Sequence, residues 1–326
     1  MDRRTFASSV AGGLLALSFA APAQQRVTPV IGFLNGGSPA LYAGPLRSFR
    51  EGLGEMGYVD GQNVTVEYHW ADGHYDQLPA LVADLIRRQV SVIAATSTPA
   101  ALAAKAAATN IPIVFTTGSD PVQIGLVASM SRPNGNVTGA SQMNQVVEPK
   151  RLELAHDLVP TATFVAVLIN PNSPVAKVRL SDMQAAASAL RLKLHVLRAS
   201  NEREIDDAFA EANRLRARVL VIIGDVFFNT RDEQFGALTL RHRLPTLYEG
   251  REFAESGGLV TFGGSISDSY QKAGVYAGRI LKGERPGDLP VQQSTKIELI
   301  INLKTAKAIG IAIPQSVLLR VDEVIE

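Results

Sequence analysis

The frame Asn-x-x-Ser-Pro occurs twice in this chain, each time directly after an apolar run: Leu34-Asn35-Gly36-Gly37-Ser38-Pro39 and Ile169-Asn170-Pro171-Asn172-Ser173-Pro174. The segments downstream of each copy recur in the same order: a second apolar strand, an amphipathic helix, a third strand and a strand led by an x-Pro step. Residues 64–68 correspond to 194–198, 90–95 to 219–224, and 111–116 to 244–249. The spacing between equivalents drifts, so one structural unit is duplicated with divergent loops, unlike a short solenoid repeat. A chain built this way folds as two matching α/β lobes with a cleft between them.

Short β-rich runs alternate with helical patterns, which argues for Rossmann-like lobes whose parallel sheets are flanked by helices. Residues 30–34 read as an apolar strand; Leu46, Phe49, Leu53 and Met56 then recur at helix spacing, and Gly57 stops that helix. Leu78, Leu81, Val82, Leu85 and Ile86 form a second helical stripe. The other half repeats the plan with a strand at 164–169, a helix at 183–190 and a stripe of Ile205, Ala208, Phe209, Ala212 and Leu215. Periodicity lapses at 139–147, at Gly263-Gly264 and at Pro286-Gly287-Asp288-Leu289-Pro290. Between the last two, Tyr270, Ala273, Ala277, Ile280 and Leu281 give one more helix, and a strand at 296–303, a helix and a final strand come after it. Three hinge crossings therefore join the lobes: 27–142 with 265–287 form the first, 146–262 with 290–326 the second. Glycine and proline at the crossings suit segments that absorb backbone rotation during closure.

The first residues have a different job. Arg3-Arg4 precede the apolar stretch at 7–21, and Ala21-Pro22-Ala23 offers the small-x-small pattern that a signal peptidase cuts. Residues 1–23 read as a signal peptide, with Arg3-Arg4-Thr5-Phe6 resembling part of a twin-arginine signal. The stretch is too short for an ordinary membrane span. The chain has no cysteine, which removes disulfides, thiolate metal sites and a lipid-carrying cysteine, so a free periplasmic protein is expected. Removing residues 1–23 takes two of the 32 basic and one of the 31 acidic side chains, leaving the two signs equal. That balance argues against nucleic acid as a partner. At 326 residues and 46% hydrophobic, the chain is large enough for two packed cores, and a monomer is expected.

Four loops after expected strands carry a capping residue immediately before proline: Ser38-Pro39, Thr98-Pro99, Asp120-Pro121 and Ser173-Pro174. That pair is a helix-start signal, and a helix start offers free N–H groups and partial positive charge to a carboxylate or phosphate. Ligands of open α/β sheets sit beyond the carboxyl ends of the strands. The four starts are therefore expected to face one interlobe cleft, with Asn35 and Ser38 contributed by one lobe and Asn170 and Ser173 by the other. Thr96-Ser97-Thr98 is the densest hydroxyl cluster and precedes an alanine-rich helix. Its counterpart, Gly224-Asp225-Val226-Phe227-Phe228-Asn229-Thr230-Arg231, combines an acid, two aromatic rings and an amide. Asp225 either receives an ammonium group or caps a helix; Phe227 and Phe228 either cover an apolar side chain or pack in the core. Tyr248 ends the next strand and offers an aromatic body with a polar tip. Trp70 and Tyr75 are assigned to surface packing.

An enzyme needs more than this. His69, His74, His156, His195 and His242 lack metal-ligand spacing, and the region after residue 23 contains no HExxH, P-loop, GxGxxG after a strand or GxSxG elbow. Asp120 and Asp225 are the one candidate acid/base pair, and carboxylates in clefts bind cations as readily. No catalytic residue, metal or cofactor is expected. A periplasmic enzyme using the same cleft and a ligand sensor without transport remain as alternatives.

Taken together, Phe49-Arg50-Glu51-Gly52-Leu53-Gly54-Glu55-Met56-Gly57-Tyr58, Thr116-Thr117-Gly118-Ser119-Asp120-Pro121, Pro133-Asn134-Gly135-Asn136-Val137-Thr138-Gly139 and Asn170-Pro171-Asn172-Ser173-Pro174 resemble the solute-binding proteins of ABC transporters, specifically the exported tryptophan/tyrosine-type family. The resemblance spans the chain from Val30-Ile31-Gly32-Phe33-Leu34 to Ile309-Gly310-Ile311-Ala312-Ile313-Pro314. It implies a type I periplasmic-binding fold, closure around one small ligand, and delivery to a membrane permease with its ATPase. The ligand it implies is an amino acid, aromatic or branched, or an aromatic acid. Ser97, Thr98 and backbone N–H groups would hold the carboxylate, Asp120 or Asp225 an ammonium group, and Tyr248, Phe227 or Tyr42 would flank the side chain.

Overall fold

A computed structural model describes residues 28–326 apart from 163, 295 and 296; the signal peptide read in residues 1–23 lies outside the described residues. The first half runs β1 (Val30–Asn35), α1 (Ala43–Glu55), β2 (Thr65–Trp70), α2 (Leu78–Arg87), β3 (Val92–Ala95), α3 (Thr98–Ala106), β4 (Ile113–Thr117) and β5 (Val137–Ser141). The second half repeats this plan with α4 (Asn144–Leu158), β6 (Phe164–Ile169), α5 (Ala176–Ala189), β7 (Lys193–Arg198), α6 (Glu202–Arg214), β8 (Leu220–Ile222), α7 (Asp232–His242), β9 (Thr246–Tyr248), α8 (Arg251–Glu255) and β10 (Val260–Gly264). The chain then adds α9 (Ile266–Leu281), β11 (Gln292–Gln293), β12 (Ile297–Asn302), α10 (Leu303–Ile309), α11 (Gln315–Leu318) and β13 (Glu323–Ile325).

Two separate sheets result. One has the order β11-β5-β4-β3-β1-β2, the other β13-β12-β10-β9-β8-β6-β7, so the duplication extends to strand order. Pairing is parallel except between β10 and β12. Each sheet is buried on both faces, and period-2 alternation sorts its side chains. Ile31, Phe33, Val92, Ala94 and Val114 point to one core, whereas Leu34, Ile93, Ala95, Ile113 and Phe115 point to the opposite one. In the second sheet Val165, Val167, Ile169 and Val221 face one core, and Ala166, Leu168, Leu220 and Ile222 the other.

In each lobe the strand order reverses beside the first strand, between β1 and β3 and again between β6 and β8. Adjacent loops diverge there and leave a crevice beyond the strand ends. The chain passes between sheets after β5 and after β10. The third passage departs from expectation: Gln292 and Gln293 pair with Ala140 and Ser141 of β5, although 290–326 were expected in the second lobe. The Pro286–Asp288 turn also stays with the first sheet, because Thr138 Oγ donates to the Leu289 carbonyl at 2.7 Å. The chain therefore returns to the second sheet between Gln293 and Ile297.

Candidate functional site between the lobes

The repeated asparagines occupy equivalent places. Asn35 Oδ1 accepts from Gly37 N–H at 2.6 Å, and Asn170 Oδ1 accepts from Asn172 N–H at 3.0 Å, so each closes a turn on its own backbone. Their amides reach across to the next strand end of the same sheet. Asn35 Nδ2 donates to the Thr96 carbonyl at 2.9 Å and to the Tyr270 hydroxyl at 2.7 Å, whereas Asn170 Nδ2 donates to Asp225 Oδ1 at 2.7 Å. The Asn-x-x-Ser-Pro frame thus ties β1 to the loop after β3, and β6 to the loop after β8.

Between these ends lies a small cavity of ≈ 50 Å³ walled by both lobes. From the first lobe come Tyr42, Thr96, Ser97, Thr98, Thr116 and Thr117; Arg179, Asp225, Asn229 and Glu249 come from the second, and Gln142 and Asn144 from the first crossing. A larger cavity of ≈ 580 Å³, open toward solvent, adjoins it and shares Tyr42, Asn229 and Ile266. Its other walls include Leu41, Pro45, Tyr248, Asp232 and Glu252.

One of the four proline signals starts a helix. Ser97 caps α3, its Oγ accepting from Ala100 N–H at 3.4 Å and from Gly36 N–H at 3.0 Å, and Thr98 Oγ1 lies 2.7 Å from Thr117 Oγ1. The other three are turns. Asp120 Oδ1 accepts from Val122 and Gln123 N–H at 2.8 and 3.2 Å, while α1 and α5 begin several residues after Ser38 and Ser173, capped at Tyr42 and Val175 without a side-chain bond. Proline fixes a φ that fits the second position of a turn as well as the first turn of a helix, so the expected ring of helix starts reduces to the start of α3.

Of the expected residues, Tyr42, Ser97, Thr98 and Asp225 line the inner cavity and Tyr248 the outer one. Asn35, Ser38, Asp120, Asn170, Ser173 and Phe227 line neither. Asn170 and Ser173 instead hydrogen-bond Asp225 from behind. Phe227 carries the Arg231 guanidinium over its ring, 4.8 Å from the centroid.

Tyr75, assigned to the surface from sequence, bridges the lobes: its hydroxyl donates to Asp225 Oδ1 at 2.9 Å and accepts from Phe227 N–H at 3.1 Å. Burial pushes the Asp225 carboxyl up, while hydrogen bonds from Asn170, Tyr75, Phe227 and Ser173 pull it back. Tyr42 of the first lobe and Asn229 of the second stand together on the walls of both cavities, and Asn229 Oδ1 accepts from the Tyr248 hydroxyl. Tyr42 and Tyr248 are raised well above the ordinary phenol value, by burial first, and stay neutral.

Arg179, also unread from sequence, reaches the cavity wall from α5. It donates to the Gly224 carbonyl and pairs with Glu148, with Glu249 at 3.7 Å and Arg151 behind. Burial disfavours its charge, but the Glu148 and Glu249 carboxylates outweigh that and hold the guanidinium protonated. A Cβ at Gly224 would fall 2.0 Å from Glu249 Oε2, so a side chain there would displace that carboxylate from the arginines. The arrangement can enclose a small polar molecule with hydroxyl donors and a helix start on one side and charged groups on the other.

A family model described as ABC transporter substrate binding protein matches residues 30–325. A protein named tyrosine-binding protein from Clostridioides difficile (strain R20291) is 28% identical over 263 residues, 81% of this chain and 75% of that protein. Among solved structures, a conserved domain protein from Vibrio cholerae O1 biovar El Tor has a TM-score of 0.83 at 24% identity, covering 91% of this chain and 99% of that one. An ABC domain in complex with L-Trp from Streptococcus pneumoniae scores 0.80 at 23% identity, covering 91% and 100%. The ligand-free, open structure of a substrate-binding protein with adhesive properties from Clostridium difficile scores 0.62 at 24% identity, covering 91% and 99%. With a match running from the first strand to the last, this chain belongs to the ABC transporter substrate-binding protein family.

Proposed function

We propose that the protein is the periplasmic solute-binding component of an ABC importer, that it closes its lobes on one amino acid with an aromatic or branched side chain, and that it delivers this ligand to a permease and its ATPase. The observation that carries the reading is the inner cavity, whose polar groups come from both lobes and both repeats. A ligand held this way binds the closed state better than the open one, and that difference drives closure. Ser97, Thr98 and Thr117 with the start of α3 form the carboxylate pole. An inner cavity of ≈ 50 Å³ takes little more than the amino-acid head group, so the side chain extends past Tyr42 and Asn229 into the outer cavity beside Tyr248. Aromatic and aliphatic walls at Tyr42, Leu41, Pro45, Tyr248 and Ile266 suit an aromatic or branched side chain.

Two relatives bear names that agree with this reading, one a tyrosine-binding protein and one solved with L-Trp. The higher TM-score with the tryptophan complex than with the open structure agrees with lobes that are closed here. Calorimetric titration with L-tyrosine, L-tryptophan, L-phenylalanine and L-leucine tests the proposal. Saturable one-to-one binding of at least one is expected, weakened at least tenfold by Thr98→Ala combined with Ser97→Ala. Absence of binding by all four, or chemical consumption of the ligand, overturns it.

A further inference from the structure

The ammonium group of an amino acid needs an acceptor, and the carboxylates on the cavity wall are already engaged. Asp225 Oδ1 receives Asn170 Nδ2, the Tyr75 hydroxyl and Phe227 N–H, and the Ser173 hydroxyl is a fourth donor to the same carboxylate. Glu249 lies 3.5 Å from Arg151 and 3.7 Å from Arg179. One side chain on the wall is different. Gln142 is 5% exposed, and among the described residues lining the inner cavity its Oε1 is the buried side-chain atom without a hydrogen-bond partner.

The orientation of this amide is set by its neighbours. The Ser269 hydroxyl donates its single proton to the Ile266 carbonyl at 2.7 Å. Toward Gln142, 2.6 Å away, it can then only accept. Gln142 must therefore present its NH2 to Ser269, which leaves the carbonyl oxygen buried and without a partner on a residue that lines the cavity. That oxygen lies near the chain at Gly118, where a Cβ would come within 3.8 Å of it, so it faces the same loop that extends from the hydroxyl-bearing end of β4. The backbone of Gln142 is fixed as well, its N–H donating to the Thr117 carbonyl at 2.9 Å. Gln142 lies on the first crossing and packs on the second, since a Cβ on Gly264 would fall 2.4 Å from the Gln142 carbonyl.

We propose that Gln142 Oε1 receives the ligand's ammonium group, so that a neutral amide carried on the hinge, and not Asp120 or Asp225, selects α-amino acids over deaminated acids. A buried acceptor without a partner is costly, and a charged donor that satisfies it recovers more than an ordinary hydrogen bond does. This inference rests on the amino-acid reading above.

The test compares matched pairs on the purified protein: L-tyrosine against 3-(4-hydroxyphenyl)propionate, and L-tryptophan against indole-3-propionate. In the parent protein the amino acid of at least one pair binds tighter. Gln142→Ala is expected to weaken that amino acid by about 10- to 100-fold, the range for a hydrogen bond to a charged group, and to leave the deaminated acid within about twofold. Gln142→Glu keeps the acceptor and adds charge; it is expected to retain the amino acid and weaken the acid, and it serves as the second variant should alanine unfold the hinge. Equal losses for both members of the pair, or no loss for either, overturn the assignment while leaving the amino-acid reading intact. Failure of the parent protein to bind any of the four compounds overturns both.

Discussion

Asn35 and Asn170 are buried at corresponding points, each fixing its own turn with an oxygen and the neighbouring strand end with an amide. Replacing Asn35 by alanine takes a donor from the Tyr270 hydroxyl, leaves the Thr96 carbonyl with the Tyr270 hydroxyl as its side-chain donor, and removes the acceptor of Gly37 N–H inside the first lobe. Loss of about 2–3 kcal/mol of stability is expected, read from the urea midpoint. Asp232 is a case of the opposite sign. Its Oδ1 is buried without a partner on the outer cavity wall, and burial, with Glu252 and then Glu249 nearby, pushes the carboxyl up to about 8. A carboxyl that titrates near 3.8 when unfolded and near 8 when folded takes up a proton on folding between those values, so stability falls as pH rises through that window. Asp232→Asn removes the effect. The variant is expected to match the parent near pH 4 and to be more stable at pH 8 by on the order of 1–2 kcal/mol, allowing for partial solvent access, as thermal unfolding at the two pH values will show.

At the scale of elements, α1 and α9 pack closely enough to exclude side chains. A Cβ on Gly52 would fall 2.0 Å from the Gln271 carbonyl, and one on Gly274 2.1 Å from the Phe49 carbonyl. Gly274→Ala must push the helices apart and is expected to cost about 3 kcal/mol, with a lower melting temperature as the readout. These helices, like α2 and α6, were legible because each buries one face and leaves the stripe that sequence periodicity detects. Others were not. Helix α4 buries Asn144, Gln145, Glu148 and Arg151 along with its leucines, so charged and apolar positions mix and the pattern lapses at 139–147. Arg179 disguises the start of α5 in the same way. The strands β5 and β11 are short and carry small or polar residues, Val137-Thr138-Gly139-Ala140-Ser141 and Gln292-Gln293, which show no β pattern of their own. The site divides along similar lines. Ser97, Thr98 and Asp225 follow strands and could be read; Gln142 and Arg179 reach the inner cavity from a crossing and a helix interior, and Tyr75, in a short turn, meets Asp225 and Phe227 only because the two lobes come together.

In the whole molecule, the ligand proposed above and a few side-chain bridges together hold the two lobes closed. Tyr75 is the clearest bridge, because its hydroxyl meets both the Asp225 carboxylate and the Phe227 N–H across the cleft. Removing that hydroxyl while keeping the ring shifts the closed-to-open ratio by about 10- to 100-fold, as expected for a hydrogen bond to a charged group, and lowers apparent ligand affinity by the fraction of closed state lost. The bound complex keeps its remaining contacts to both lobes, so saturating ligand still closes the variant. The most direct measurement is small-angle X-ray scattering of Tyr75→Phe with and without saturating L-tyrosine or L-tryptophan. The variant alone should be more extended than the parent protein and return to the parent's radius of gyration when the ligand is added. Identical scattering from parent and variant, with no change on adding either amino acid, would contradict closure around an interlobe ligand.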